Sequence, residues 1–104
     1  MNKLSTLLVK LGFQRIYEHD LGNAIGYSIS KNSQEWELVS PIVHYRLFMT
    51  RDSQGILAGK LVCIPGLDKM TETLICSDRA LVNKLKEDGF DVSSYYEEDN
   101  NETE

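Results

Sequence analysis

The sequence predicts an α+β fold in which an antiparallel meander sheet of four to five strands is packed by an N-terminal and a C-terminal helix. Two segments, residues 4–11 and 78–85, repeat apolar residues with the spacing of an amphipathic helix. Between them, apolar and polar residues alternate with the period of a β-strand. The connections are short, which favours pairing of consecutive strands. Two helices suffice to cover one face of such a sheet, so we expect a two-layer sandwich.

Both predicted helices end on the same pattern, Leu-x-x-x-Gly-Phe, at residues 8–13 and 85–90. The glycine adopts the left-handed conformation that stops a helix, and the phenylalanine packs back on the leucine. Ser77 or Asp78 can cap the start of the last helix. The apolar stripes are Leu4, Leu7, Leu8 and Leu11 in the first helix and Leu81, Val82 and Leu85 in the last.

Polar turns separate the predicted strands in the first half of the sheet. Residues 13–19 and 25–29 form a hairpin across the turn-forming cluster at 20–23. In the second of these strands apolar residues alternate with Gly and Ser, which indicates a half-buried strand. A second polar turn at residues 31–34 leads into a short strand at 36–38.

The most apolar strand pair follows Pro41, which ends the preceding strand because proline cannot donate to a sheet ladder. Residues 42–50 and 56–64 form this pair, and residues 51–55 supply a hairpin loop with a late glycine. The second strand is apolar on both faces, so we expect it inside the sheet. Residues 67–76 fit either a short helix or a short strand, and periodicity does not decide between them.

The net charge of the chain is concentrated at its end. The 104 residues include 11 Lys+Arg and 16 Asp+Glu, which gives a net charge of −5. Five of the acidic residues and none of the basic ones lie in residues 97–104, so residues 1–96 are neutral. We therefore expect one globular α+β domain at residues 1–94 and an acidic, disordered C-terminal tail at residues 95–104.

Several classes of protein are excluded by what the sequence lacks. Its apolar runs, such as residues 61–64, are far shorter than the roughly 20 residues of a membrane span. Lys10 interrupts the early apolar run, which argues against a signal peptide and for a cytoplasmic protein. No glycine-rich phosphate loop or metal-ligand spacing occurs, so we expect no cofactor and no metal. Cys63 and Cys76 are expected to be reduced thiols packed as small apolar groups.

The neutral body also bears on the choice of partner. Affinity for nucleic acid comes largely from lysine and arginine side chains that neutralise phosphates. Here the positive charges of Lys84 and Lys86 on the last helix are balanced by the negative charges of Glu87 and Asp88. The charge balance therefore argues against nucleic acid as the partner.

One pair of residues suggests catalysis. His44 and Arg46 lie two apart on a predicted strand, so both side chains point to the same face and could hold an anionic group. A small hydrolase or nuclease would use them in this way, with a second base from His19 if the sheet brought the two strands together. The simpler alternatives for His44 are a solvated face or a bond to a cross-strand partner.

The favoured hypothesis is a non-enzymatic protein-binding module, an inhibitor, adaptor or chaperone of a size and charge that phage-encoded inhibitors also have. Aromatic side chains anchor interfaces, and an acidic segment attracts a partner with a basic surface. The alternatives are a tail that only aids solubility and a tryptophan that only packs the core. The predicted partner-binding residues are Trp36, Tyr95, Tyr96, Glu97, Glu98 and Asp99.

A third hypothesis is a structural or assembly subunit. It predicts self-association through an exposed strand edge, where unpaired backbone groups offer a template for another strand. The sequence leaves open whether the protein is a monomer or a homodimer.

Overall fold

The computed structural model describes residues 3–22, 31–65 and 69–96, except for the side chains of residues 20–22. The strands pair consecutively and antiparallel in the order β1-β2-β3-β4-β5. The α+β class and the antiparallel meander are confirmed, with five strands in the described ranges. The elements are α1 (Lys3–Leu11), β1 (Gln14–Gly22), β2 (Lys31–Val39), β3 (His44–Asp52), β4 (Gly55–Ile64), β5 (Thr71–Ile75) and α2 (Asp78–Glu87).

The first hairpin differs from the prediction because β2 starts earlier than its sequence suggests. Residues 31–34 and 20–22 were predicted as turns, and both predictions are wrong. These residues belong to β2 and β1, where Asp20 lies opposite Asn32. Polar residues are compatible with these strands because β1 is at the edge of the sheet and one face of the sheet is exposed to solvent. The predicted strand at residues 25–29 lies outside the described residues.

The second hairpin follows the sequence closely. Ser53 and Gln54 form its turn, and the Asp52 Oδ1 atom accepts a hydrogen bond from the Gln54 backbone N–H at 2.8 Å. Gly55 adopts a φ of 139°, a conformation that other residues rarely adopt. β4 then lies between β3 and β5, as its apolar character predicted. Residues 71–75 form a strand, which settles the ambiguity of the segment at 67–76 over that range.

Both helices end in the geometry that their shared pattern predicted. In α1, the Phe13 N–H donates to the Leu8 carbonyl at 2.9 Å, and Gly12 has a φ of 101°. In α2, the Phe90 N–H donates to the Leu85 carbonyl at 3.0 Å, and the glycine at 89 has a φ of 97°. In both helices the N–H of the glycine also donates to the carbonyl three residues before it, and these two hydrogen bonds together form the Schellman motif. The rings of Phe13 and Phe90 lie 6.1 Å apart, so the two helix ends meet.

Ser77 is the N-cap of α2, and its hydroxyl accepts a hydrogen bond from the Ala80 N–H at 3.1 Å. The neighbouring Asp78 carboxylate accepts a hydrogen bond from the Ile56 N–H at 2.9 Å. This hydrogen bond therefore connects the start of α2 to the start of β4. None of the helices in the described ranges is long and apolar enough to cross a membrane.

The sheet has two unlike faces, and β3 shows the difference most clearly. Its alternate residues from Tyr45 to Arg51 are buried, whereas the residues between them are partly exposed. We call the first side the core face and the second the open face. Residues opposite one another on antiparallel strands share a face, so the register extends both faces across the sheet. The core cluster joins Trp36, Tyr45, Leu47, Met49 and Leu61 of the sheet to Leu4, Leu7, Leu8, Leu81, Val82 and Leu85 of the helices.

Beyond α2 the chain packs back on the body. Val92 is only 4% exposed, and residues 93–96 form one helical turn. Tyr95 packs against the core cluster, and the Lys3 Nζ atom lies 4.1 Å from the centroid of its ring. The structure therefore places Tyr95 and Tyr96, which the sequence assigned to the tail, in a folded turn. Residues 97–104 lie outside the described residues.

Candidate functional site

Trp36, predicted as an interface anchor, lies on the core face. It is 2% exposed, and its Nε1–H donates a hydrogen bond to the Gln34 Oε1 atom at 2.9 Å. The Gln34 amide in turn donates to the Glu18 Oε2 atom at 2.7 Å. This chain of hydrogen bonds satisfies the polar atoms of both buried side chains. Trp36 thus matches its core-packing alternative and presents no ring surface to a partner.

The predicted tail site is divided by the end of the described chain. Tyr95 and Tyr96 are in edge-to-face contact, with ring centroids 5.6 Å apart and planes at 87°. Tyr95 packs on the body, whereas Tyr96 remains 38% exposed. The acidic residues Glu97, Glu98 and Asp99 lie outside the described residues.

His44 and Arg46 share the open face, as their spacing predicted, and both contact a carboxylate on β2. The Glu37 Oε2 atom lies 3.2 Å from His44 Nε2 and 3.2 Å from Arg46 Nη2. The other terminal nitrogen of Arg46 lies 3.6 Å from Glu35 Oε2. A cross-strand partner was one of the alternatives for His44, and this is the arrangement that the structure has. Because two carboxylates balance the guanidinium, the cluster offers little net attraction for an anionic substrate.

The two histidines of the hydrolase hypothesis do not converge. His19 lies opposite Ser33, which lies opposite Thr50, so His19 is six residues from the level of His44 along β3. That separation corresponds to roughly 20 Å at the rise of a β-strand. His19 instead stacks on Tyr17, with ring centroids 6.4 Å apart. A site that uses both imidazoles is therefore not assembled.

The middle of the open face combines aromatic, apolar and charged side chains in one row. Phe48 lies opposite Glu35 on one side and Lys60 on the other, and Lys60 lies opposite Leu74. The Lys60 Nζ atom is 5.4 Å from the centroid of the Phe48 ring, within the range of a cation–π contact. A shallow depression of about 300 Å³ lies along this row. Its lining on the open face includes Ser33, Phe48, Thr50, Ala58, Lys60 and Leu74.

One end of the sheet carries an exposed apolar surface, which we call the apolar end patch and define as Val39, Ile42, Ile64 and Met70. In the register His44 lies opposite both Val39 and Ile64, so these side chains share the open face. Met70 directly precedes Thr71, and Thr71 lies opposite Cys63, the residue before Ile64. Val39, Ile42 and Met70 are 64%, 78% and 55% exposed.

The turn that carries Ile42 is held by its own hydrogen bonds. The Ser40 N–H donates to the Val43 carbonyl at 2.9 Å, and the Val43 N–H donates to the Ser40 hydroxyl oxygen at 3.1 Å. Ile42 is thus presented on a closed turn. Sequence reasoning missed this patch because its four residues are divided between two connections, β2–β3 and β4–β5, that are distant in the sequence. The one local signal is an isoleucine placed directly after Pro41 at the start of a turn.

A separate polar network ties β3 to the end of α2. The Tyr45 hydroxyl donates to the Asp88 Oδ2 atom at 3.1 Å, and Lys84 Nζ lies 3.0 Å from the other oxygen of that carboxylate. Burial, the hydrogen bond with Cys63 and the nearby Asp88 charge raise the pKa of Tyr45 above its usual 10.0. The hydrogen bond to Asp88 raises the pKa of Lys84. This network lies on the core face, so we assign it to stability.

Neither thiol is paired with another cysteine. Cys63 is partly buried against the core cluster, as expected, whereas Cys76 is exposed and therefore does not pack as the sequence predicted. Among the described residues, His, Cys, Asp and Glu side chains form no group of three placed to hold a metal ion.

Comparisons with protein-family models, with curated proteins and with solved structures found no match.

Proposed function

We propose that this chain is a non-enzymatic protein-binding module, an inhibitor, adaptor or chaperone, whose open face contacts its protein partner. The observation that carries the proposal is the apolar end patch, where Val39, Ile42 and Met70 are each more than half exposed. Exposed apolar side chains that lie close together on a protein mark interaction sites. The proposed site therefore differs from the tryptophan and tail residues that the sequence suggested.

The surroundings of the patch favour a protein as its partner. His44, which is ion-paired to Glu37, lies between Val39 and Ile64 in the register, and Arg46 contacts the same carboxylate next to it on the open face. Protein–protein interfaces combine apolar side chains with polar and charged ones. Val39 and Ile64 lie on strands and Ile42 lies on a hydrogen-bonded turn, so binding would order few of these residues. Such pre-organisation lowers the entropic cost of association.

The proposal includes the two-layer arrangement expected from the sequence. In it, α1 and α2 form one layer against the core face and leave the open face to a partner. The support is the core cluster, which contains buried residues of both helices together with core-face residues of the sheet. Glu72 and Leu74 of β5 and the partly exposed residues of β3 then lie on the side away from the helices.

The acidic residues 97–104 complete the proposal. We expect them to attract a partner with a basic surface and to increase its association rate, as charge steering does. Binding should then weaken as the salt concentration rises. The proposed setting is the cytoplasm, and the proposed partner is a protein rather than a nucleic acid or a membrane.

The experiment is affinity capture from native lysate at low and moderate salt, with bound proteins identified by mass spectrometry. Four forms are compared: the wild type, the double variant Val39→Glu/Ile42→Glu, the control Val9→Glu and a chain shortened to residues 1–96. Val9 is a matched control because it is an apolar residue on α1 with 51% exposure. Melting temperatures establish that all four forms are folded.

We expect one stoichiometric partner that the wild type and Val9→Glu both retain and that the double variant loses. The shortened chain should retain this partner with weaker salt dependence. If the wild type captures no partner, the protein-binding proposal is wrong. If the double variant binds as well as the wild type while the shortened chain does not bind, the site lies in the tail and not on the open face.

A further inference from the structure

Strand β5 is an edge of the sheet with few of the features that prevent edge pairing. It is last in the strand order, so no described strand pairs with its outer side. Three of its five residues, Thr71, Glu72 and Leu74, are exposed, and Leu74 is 83% exposed. β5 contains neither a proline nor a lysine, and its pairing with β4 has no bulge. Such an edge is a template for another strand.

The opposite edge of the sheet is protected against strand addition. The pairing of β1 with β2 is irregular at two places, after Arg15 and after Asp20. β1 also carries exposed charged side chains, among them Arg15 and Glu18, which form an ion pair at 3.5 Å. Bulges and charges are the features by which natural sheets prevent edge pairing. The chain therefore protects one edge with two irregularities and several charges, whereas β5 has no bulge and a single charged residue, Glu72.

We propose that two copies of this chain associate through β5, in antiparallel pairing, so that their two sheets become one continuous sheet. A two-fold axis perpendicular to the sheet generates this contact, and two-fold dimers are the commonest symmetric assemblies. The axis keeps the two core faces on one side and the two open faces on the other. The inference concerns the edge of the sheet and does not depend on the partner proposed for its open face.

The sequence of β5 selects one register for the dimer. Centring the two-fold axis on Thr73 pairs all five residues from Thr71 to Ile75, the largest overlap that the strand allows. Glu72 then lies opposite Leu74 of the second copy on the open face. Centring on Glu72 would place two carboxylates opposite each other, which is unfavourable, and would pair fewer residues. The favoured register thus avoids like charges and covers the most exposed apolar residue of the strand.

Charge complementarity also supports a second copy as the occupant. In this register a row crosses the interface from Lys60 through Leu74 to Glu72 of the second copy, and the same row recurs by symmetry. Within one chain Lys60 already lies 3.6 Å from Glu72. Each Glu72 would therefore keep its own lysine and lie two strands, roughly 10 Å, from the lysine of the other copy, with the covered leucine between them. A foreign strand would need to reproduce this pattern by coincidence.

The experiment is sedimentation-equilibrium measurement of the dimer dissociation constant for the full chain and for four variants. Leu74→Glu places a carboxylate opposite Glu72 of the second copy, whereas within its own chain it lies opposite Lys60, so folding should be unaffected. Leu74→Lys places a cation opposite that glutamate instead. The double variant Glu72→Lys/Leu74→Glu restores opposite charges across the axis. Val39→Glu, an equivalent change outside β5, is the control.

We expect a dimer of the wild type, a dissociation constant raised about tenfold or more in Leu74→Glu, and recovery toward the wild-type value in the double variant. Val39→Glu should dimerise like the wild type, and Leu74→Lys should dimerise more tightly than Leu74→Glu. A wild type that stays monomeric at the highest concentrations overturns the proposal. A dimer that Leu74→Glu leaves intact overturns it as well, because the contact then lies elsewhere. Partner capture through the open face is measured separately, so either proposal can fail alone.

Discussion

The two faces of β3 have the same backbone and opposite roles. On the core face Leu47 and Met49 are 0% and 2% exposed and touch the packed cluster of both helices. On the open face His44, Arg46 and Phe48 are partly exposed. His44 and Arg46 share the Glu37 carboxylate, and the Lys60 ammonium group lies over the Phe48 ring. The core face therefore supplies the buried packing that stabilises the fold. The open face is then free to carry binding residues.

The largest expected effect comes from neighbours on opposite faces. Leu47→Ala removes a fully buried side chain and should lower the free energy of unfolding by about 2–5 kcal/mol, because a cavity remains in the core. Phe48→Ala should cost markedly less, since its ring packs only on the open face. Chemical denaturation of both variants measures the difference. Equal losses would show that the open face is packed as tightly as the core face.

Gly59 offers a second comparison, between two adjacent residues of β4. A Cβ atom at Gly59 would collide with the Phe48 carbonyl oxygen and lie 3.0 Å from the Met49 Cα atom. Gly59→Ala should therefore cost about 1–3 kcal/mol, because backbone atoms of β3 must move. Ala58→Ser at the exposed neighbouring residue should leave stability within about 0.5 kcal/mol. Denaturation curves decide the point, and a neutral Gly59→Ala would contradict the close strand approach.

Tyr45 on the core face makes the free energy of unfolding depend on pH. Its pKa is raised in the folded protein above the ordinary 10.0, so the unfolded chain releases this proton first as the pH rises. The stabilising contribution is present below pH 10.0 and is lost at higher pH. Tyr45→Phe should cost about 0.5–1.5 kcal/mol at neutral pH through loss of the bond to Asp88. It should also make the alkaline decline in stability shallower.

The matched control for this prediction is Tyr17→Phe, at a residue of β1 with 47% exposure. Its stability should equal that of the wild type across the same range. Thermal melts from neutral to alkaline pH measure both variants. An alkaline decline that is as steep in Tyr45→Phe as in the wild type would contradict the role given to the buried phenol.

The smallest expected effect on stability belongs to the charged cluster of the open face. Glu37→Gln removes the carboxylate shared by His44 and Arg46, yet partly exposed ion pairs contribute less than about 1 kcal/mol. The residual effect should shrink further at high salt. Denaturation at two salt concentrations tests this. A loss as large as that of Leu47→Ala would mean that the cluster is a structural element of the fold.

Local signals in the sequence predicted the elements whose causes are local. The stripes and glycine stops of both helices, and the apolar pair that became β3 and β4, are decided within a few residues. Residues 31–34 have turn-like composition and form a strand because β1 and β3 pair with them on either side. That cause lies in the register of distant segments, which periodicity does not report.

The candidate site was predicted less well for the same reason. The shared face of His44 and Arg46 follows from their spacing, and the sequence predicted it correctly. Glu37 as their common partner follows only from the β2–β3 register. Trp36 lies between two glutamates in the sequence, but strand alternation points those glutamates to the open face and the indole to the core. The apolar end patch combines residues of two separate connections and has no sequence motif of its own.

The meeting of the two helix ends has a consequence for how the chain matures during synthesis. Phe13 lies against Phe90, and Lys3 lies over the ring of Tyr95, so the first described helix completes its contacts with the last described segment. A ribosome releases these partners many residues apart. The contacts of α1 with this last segment therefore form only when nearly the whole described chain has emerged. Until then part of the core cluster is incomplete, and a nascent chain in this state exposes hydrophobic surface that chaperones of growing polypeptides bind.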